Sequence, residues 1–198
     1  MGVLRGDEWG EPARSAFAHA RTVPGDEAGR WLAGARAERD SGRVLGVLGR
    51  LRRAVVLHDR AVPGTRANID HLVVAADGVW VVDTKRWAGT ARRSGGDVVV
   101  GEHSVAATCG QLRWLAERVA GVLVDAGMGQ VGVAVAVSST SLARRRWLGE
   151  AAVGGPPTWL RRRLGLAHGM QRARRLEVAR VLDRAFPAYV EVASTPRR

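Results

Sequence analysis

A chain of 198 residues with 46% hydrophobic content has material for one compact domain with a real core, and too little for two full-sized ones. Its longest apolar runs, such as 131–137, fall far short of the ~18 residues that span a bilayer, and no secretory h-region lies within residues 1–21. Cys109 is the only cysteine, which excludes an intrachain disulfide and the cysteine-pair zinc folds.

These features lead us to expect a cytoplasmic protein with no membrane association. A net charge of +12 at a pI near 11.6 makes nucleic acid the first partner to consider. All but one of the 31 basic residues are arginine, as a codon bias would produce, so basicity alone carries little weight. The same bias makes the lone Lys85 informative, because it marks a place where a compact ammonium is needed and a planar guanidinium does not serve. His19, His58, His71, His103 and His168 show no zinc-ligand spacing and read as surface or packing residues.

In chain order, residues 1–27 mix Gly, Pro and charged residues without period and predict a flexible N-terminal tail. From Glu27 to Leu51 the spacing becomes helical, with Trp31, Ala35, Leu45 and Leu48 along one side. Glu38 falls on that apolar side, and a carboxylate there needs a cap, an ion pair or a metal site to account for it. Residues 54–57, 68–75 and 79–85 are rich in Val and Ile and read as strands, with Pro63-Gly64 and Asp77-Gly78 as turn signals. A short strand at 98–100, an amphipathic helix at 105–126 and a buried strand at 132–137 follow. Beyond Ser138, the Arg-rich pieces 144–146 and 161–163, which flank Pro156-Pro157, predict short helices joined by loops. A final helix at 170–186 stops at Pro187, and 188–198 reads as a tail, which leaves 28–187 as the domain. The fold class is α/β, a mixed sheet flanked by helices.

If Asp77 and Gly78 are the two central residues of a hairpin, Ala76 faces Val79, Leu72 faces Asp83 and Asp70 faces Lys85. Asp70, Asp83 and Lys85 then share one face, with Asp70 a diagonal neighbour of Asp83. A plain ion pair of Asp70 with Lys85 would leave Asp83 poorly compensated, and two such carboxylates are better accommodated around a divalent cation. A one-residue slip would dissolve this site.

The stretches Asn68-Ile69-Asp70-His71 and Val81-Val82-Asp83-Thr84-Lys85 resemble the nuclease-related domain (NERD) family, a branch of the PD-(D/E)XK, restriction-endonuclease-like superfamily. Leu57-His58-Asp59-Arg60, Pro63-Gly64 and Ala67 before Asn68 add to the resemblance, which covers about residues 30–125. Glu38 matches the glutamate of a Gly-Glu pair on the preceding helix, with Ala37 in the glycine position, and Gln111 matches a glutamine on the following helix. The resemblance implies Mg²⁺ or Mn²⁺ held by Asp70, Asp83 and the Thr84 carbonyl. Glu38 would hold a water or a second ion, Lys85 would position the attacking water and stabilise the phosphorane, and Gln111 would orient the site or touch the nucleic-acid backbone.

Arg86 and Trp87 follow the site directly and Arg92-Arg93 lie on the next turn; the arginines could track phosphates, with Trp87 available for base stacking or simply part of the core. The leading expectation is a divalent-metal-dependent nuclease hydrolysing phosphodiester bonds of DNA. Its rivals are a non-catalytic nucleic-acid-binding or signalling module that keeps the fold, and a protein-interaction domain.

Overall fold

The structure, a computed structural model, describes residues 6–124, 127, 131–137, 146–148, 151–154 and 158–189. Within them lie ten strands and five helices: β1 (Glu8–Trp9), α1 (Arg14–Ala20), α2 (Gly25–Arg50), β2 (Val55–Ala61), β3 (Asn68–Ala75), β4 (Gly78–Lys85), β5 (Ala91–Ser94), β6 (Asp97–Val100), β7 (His103–Ser104), α3 (Val105–Leu123), β8 (Val131–Val137), β9 (Arg146–Leu148), β10 (Ala151–Gly154), α4 (Thr158–Gly165) and α5 (Arg172–Ala185). Seven strands form one mixed sheet in the order β1-β2-β3-β4-β8-β10-β9, and β5-β6-β7 form a small antiparallel sheet. The fold is α/β.

Two apolar cores sandwich the main sheet. Leu72, Val74, Val79 and Val81 pack with Leu112, Ala116 and Val119 of α3 and with Val178 and Leu182 of α5. Val73, Trp80 and Val82 pack on the other face with Leu45 and Leu48 of α2 and Leu160 and Leu164 of α4. The odd-even alternation of β3 and β4 is what a sheet buried on both faces requires.

The hairpin register differs from the predicted one by two residues. Leu72 pairs with Val81 and Ala75 with Gly78, so Ala76 and Asp77 are the central turn residues. Neither has a positive φ, whereas Gly78 has φ 140°, so the turn is of the ordinary kind with Asp before a glycine at its exit. A two-residue shift preserves the face of every side chain, and continuing the pairing sets Asp70 opposite Asp83 instead of Lys85.

The expected N-terminal tail is instead built into the fold. Strand β1 pairs parallel with β2, α1 packs on α2, and Ala13, Ala18 and Ala20 are buried. Local periodicity could not show this, because the fit depends on a distant groove. A Cβ on Gly42 would lie 2.5 Å from Pro12 Cβ, and one on Gly49 would lie 2.9 Å from the Asp7 carbonyl oxygen. The buried Asp7 accepts two hydrogen bonds from Arg172 at 2.6 and 2.9 Å, which ties the segment to α5. Tyr189 N donates to the Asp59 carbonyl, so the described start of the expected C-terminal tail also touches the sheet, while 190–198 lie outside the described residues.

The region beyond Ser138 is corrected too. Arg146–Leu148 and Ala151–Gly154 are strands of the main sheet where helices were expected, whereas α4 and α5 are helices as read.

Alanine in place of a mid-helix glycine usually stabilises by up to ~1 kcal/mol. Gly34→Ala, with nothing within 4 Å of the added Cβ, should follow that rule, whereas Gly42→Ala should cost about 1–3 kcal/mol by displacing Pro12. Thermal unfolding of the two variants should therefore move Tm in opposite directions.

Candidate active site

The strands carrying the candidate residues leave simple alternation at one place. In β2, Val55 and Leu57 belong to the α3/α5 core, yet Arg60, of opposite parity, is the residue that pairs with Asp183 of α5. In β3, Ile69 joins that core where parity would have placed Asp70. The switch falls between them, at Asp59, whose φ of 48° is left-handed, a conformation Asp tolerates better than most residues. The neighbouring pairs His58↔His71 and Arg60↔Ile69 continue in register around it. Asp59 is itself buried and accepts hydrogen bonds from Ser15 N, Ser15 Oγ and Asn68 Nδ2.

Four carboxylates gather at this end of the sheet. Burial, then the negative charge of Asp83, push the Asp70 carboxyl up to about 7, against the attraction of Lys85 and a 2.8 Å hydrogen bond from Thr84 N. Glu38, buried on α2, is pushed up to about 9 by burial first and then by Asp70 and Asp59, although Ala13 N donates to its Oε1 at 2.8 Å. Lys85 Nζ lies 2.9 Å from Asp83 Oδ1. Burial disfavours its charge, but Asp83, Asp70 and Glu38 outweigh burial and raise its pKa.

The structure therefore brings Glu38, Asp70, Asp83 and Lys85 into one electrostatic unit, with Lys85 bonded to Asp83 and not, as the predicted register had it, set opposite Asp70. Among the described residues, no three His, Cys, Asp or Glu side chains are gathered as a ready metal cage. The donors still suit a hard cation that keeps several waters: they are all oxygens, two of the carboxylates repel each other, and Asp83 Oδ2 is buried with no hydrogen-bond partner. Thr84 is buried beside them.

The surrounding residues divide. Gln111 is exposed in the second turn of α3, and Cys109, two residues before it, is buried and feels the charge of Asp83. Arg86, Arg92 and Arg93 are exposed. Trp87 is 8% exposed, belongs to the core and stacks on His103 with ring centroids 5.3 Å apart, so it is not available to a base. The C-terminal arginines are partly structural: Arg163 pairs with Asp77, Arg172 with Asp7, and the buried Arg175 donates to the carbonyls of Met170 and Arg52. Arg144 and Arg145 lie outside the described residues.

Sequence reading missed Asp59, Ala13 and Glu8. Asp59 left a signal, a charged Asp-Arg pair ending an apolar strand. Ala13 acts through its backbone N–H and Glu8 through a contact with β2, so neither left one.

Because the folded state favours the protonated forms of Asp70, raised to about 7, and Glu38, raised to about 9, metal-free protein should lose stability as pH rises from about 4 to about 9. Asp70→Asn should be more stable than the parent by about 1–3 kcal/mol at pH 8, with the difference vanishing near pH 4. Denaturant unfolding in EDTA at the two pH values measures this, and an Asp70→Asn protein weaker than the parent at pH 8 would contradict it.

A family model described as nuclease-related domain (NERD) matches residues 33–131, half of the chain. Neither the curated proteins nor the solved structures contain a match. The matched span runs from α2 through β8 and so contains Glu38, Asp70, Asp83, Thr84, Lys85 and Gln111.

Proposed function

The chain belongs to the nuclease-related domain family, and from that membership we propose that it is a divalent-metal-dependent nuclease that hydrolyses phosphodiester bonds of DNA. The observation that carries the reading is a pair of mutually repelling, partly desolvated carboxylates, Asp70 and Asp83, beside the chain's lone ammonium. Carboxylates placed this way destabilise the fold, and a bound cation gives them a purpose.

In this proposal Asp70, Asp83 and the Thr84 carbonyl hold Mg²⁺ or Mn²⁺, and Glu38 holds one of its waters or a second ion. The ion would neutralise charge on the phosphate and acidify water. Lys85 is partly exposed, so its ammonium can leave Asp83 to meet a phosphate oxygen and stabilise the charge that develops there. Its three donors on a flexible stem can also orient an attacking water, a task for which a planar guanidinium is too large and too rigid. Glu38, protonated at neutral pH in the absence of an ion, would surrender its proton on engaging one. Arg86, Arg92 and Arg93 would track the phosphates flanking the scissile bond, and exposed Gln111 would touch the backbone.

Lys85→Arg keeps the charge and should still lower cleavage at least ~100-fold, a loss comparable to removing one transition-state donor. Asp83→Asn should do the same and should also abolish calorimetric Mn²⁺ binding. Both should bind DNA as the parent does. Salt-sensitive DNA binding by the parent, with no divalent-ion dependence and no product under any metal, would replace this reading with a non-catalytic binding module.

A further inference from the structure

The first part of α2 stands clear of the cores on which the rest of that helix lies. Its buried residues begin at Ala35, so 25–34, about 15 Å of helix, project beyond the positions of Leu45 and Leu48. Helix α1 packs beside α2. A Cβ added at Gly25, Gly29 or Gly34 would meet nothing within 4 Å, so the projection has open space around it.

Trp31 lies on this projection. Its spacing puts it in the apolar stripe of α2, yet here the stripe runs past the buried residues, and Trp31 is 41% exposed. His19 of α1 meets the indole edge-on, with ring centroids 4.3 Å apart, and steadies it. One exposed aromatic needs no explanation by itself, but its neighbours supply one. Trp31 precedes Glu38 by seven residues, two helical turns, so the two share a side of α2 about 10 Å apart along its axis. Gly34 and Ala35, on that side between them, add no bulk. Arg30 and Arg36 are exposed, and the Arg39 guanidinium lies over the Phe17 ring, 4.1 Å from its centroid. A guanidinium stacked in this way still presents N–H groups at its edge. Asp40 is paired with Arg43, while Asp26 and Glu27 stand in the first turn of α2, where the helix dipole stabilises them.

We propose that the projecting α1–α2 hairpin is a platform for single-stranded nucleic acid: an unpaired base stacks on Trp31, Arg36 and Arg39 hold the adjoining phosphates, and the strand runs on toward Glu38. An aromatic face beside positive charge is how proteins grip single strands without regard to sequence, because every base has a π-face. A duplex keeps those faces stacked inside and offers an isolated indole nothing to meet. The proposal deepens the nuclease reading by naming unpaired strands as the substrate class, and it rests on that reading for what the strand is delivered to.

Fluorescence anisotropy of the full-length protein in EDTA separates binding from metal-dependent cleavage. The probes are oligothymidylate, an abasic strand of equal length and a blunt duplex of equal length. The parent should bind oligothymidylate about tenfold more tightly than the abasic strand. Trp31→Leu, apolar but without a π-face, should lose that preference and leave duplex affinity unchanged, whereas Trp31→Phe should keep most of it. Arg36→Gln should retain the preference and flatten the single-strand log–log salt dependence by about 0.7. The proposal is overturned by a parent that treats the two single strands alike, by a Trp31→Leu protein that prefers bases as strongly as the parent, or by an Arg36→Gln slope equal to the parent's. Self-association of the parent that Trp31→Leu abolishes, with strand affinity unmoved, assigns this face to a second copy of the chain instead. A parent that prefers bases through Trp31 yet yields no product under Mg²⁺ or Mn²⁺ defeats the nuclease reading alone. Metal-dependent cleavage with no Trp31-dependent preference defeats the platform alone.

Discussion

Glu38, Asp59, Asp70 and Asp83 are crowded into one end of a sheet that is otherwise apolar on both faces, and three of them are buried outright or nearly so. Desolvation and repulsion from neighbouring carboxylates both oppose the ionisation of Glu38 and Asp70, and the single cation among the four is Lys85. The arrangement persists because other groups restrain it: the left-handed Asp59 accepts hydrogen bonds from Ser15 and Asn68, Glu38 from the Ala13 N–H, and Asp70 from the Thr84 N–H. The protein as a whole carries +12, yet that charge is mostly elsewhere. The local field is negative, which is the condition under which a divalent cation is the most favourable guest.

Much of the fold was legible because its signals are local. The apolar spacing of α2, α3 and α5 and the β-branched runs of β3, β4 and β8 reflect burial that each element shows by itself. The candidate carboxylates were legible for the same reason, as charges in the midst of apolar strands. The register was not. Asp77-Gly78 fits the middle of a mirror-image turn as well as the last two positions of an ordinary one, and only the sign of φ at Asp77 separates them. The two choices differ by two residues, an even number, so the face assignment survived the error while the partner of Asp70 changed.

What escaped the sequence is what depends on distance along the chain. Segment 7–20 has no period because its fit is dictated by Gly42, Gly46 and Gly49 of α2 and by Arg172 of α5. The arginine excess carried little weight in the sequence, and several of its guanidinium groups are structural. Arg60, buried and tied to Asp183, and Arg175, bonded to the Arg52 carbonyl, fasten α5 to β2 and to the turn that precedes it. An arginine-rich composition therefore conceals which cations bind a partner, and a lone lysine shows through it.

The division between the matched span and its flanks bears on how such a site is kept in order. Residues 33–131 hold every side chain proposed to meet the ion or the phosphate. They do not hold all of the groups that restrain this end of the sheet. The Ala13 N–H on Glu38, the Ser15 contacts to Asp59 and the Glu8 carboxylate on His58 all come from before residue 33. Ala13 itself has φ 65°, an uncommon conformation for a residue with a Cβ, and this strained residue is the one whose N–H meets the most strongly perturbed carboxyl of the site. A functional constellation can thus be confined to one contiguous segment, while its pre-organisation is supplied by a short strap whose residues carry no chemistry of their own.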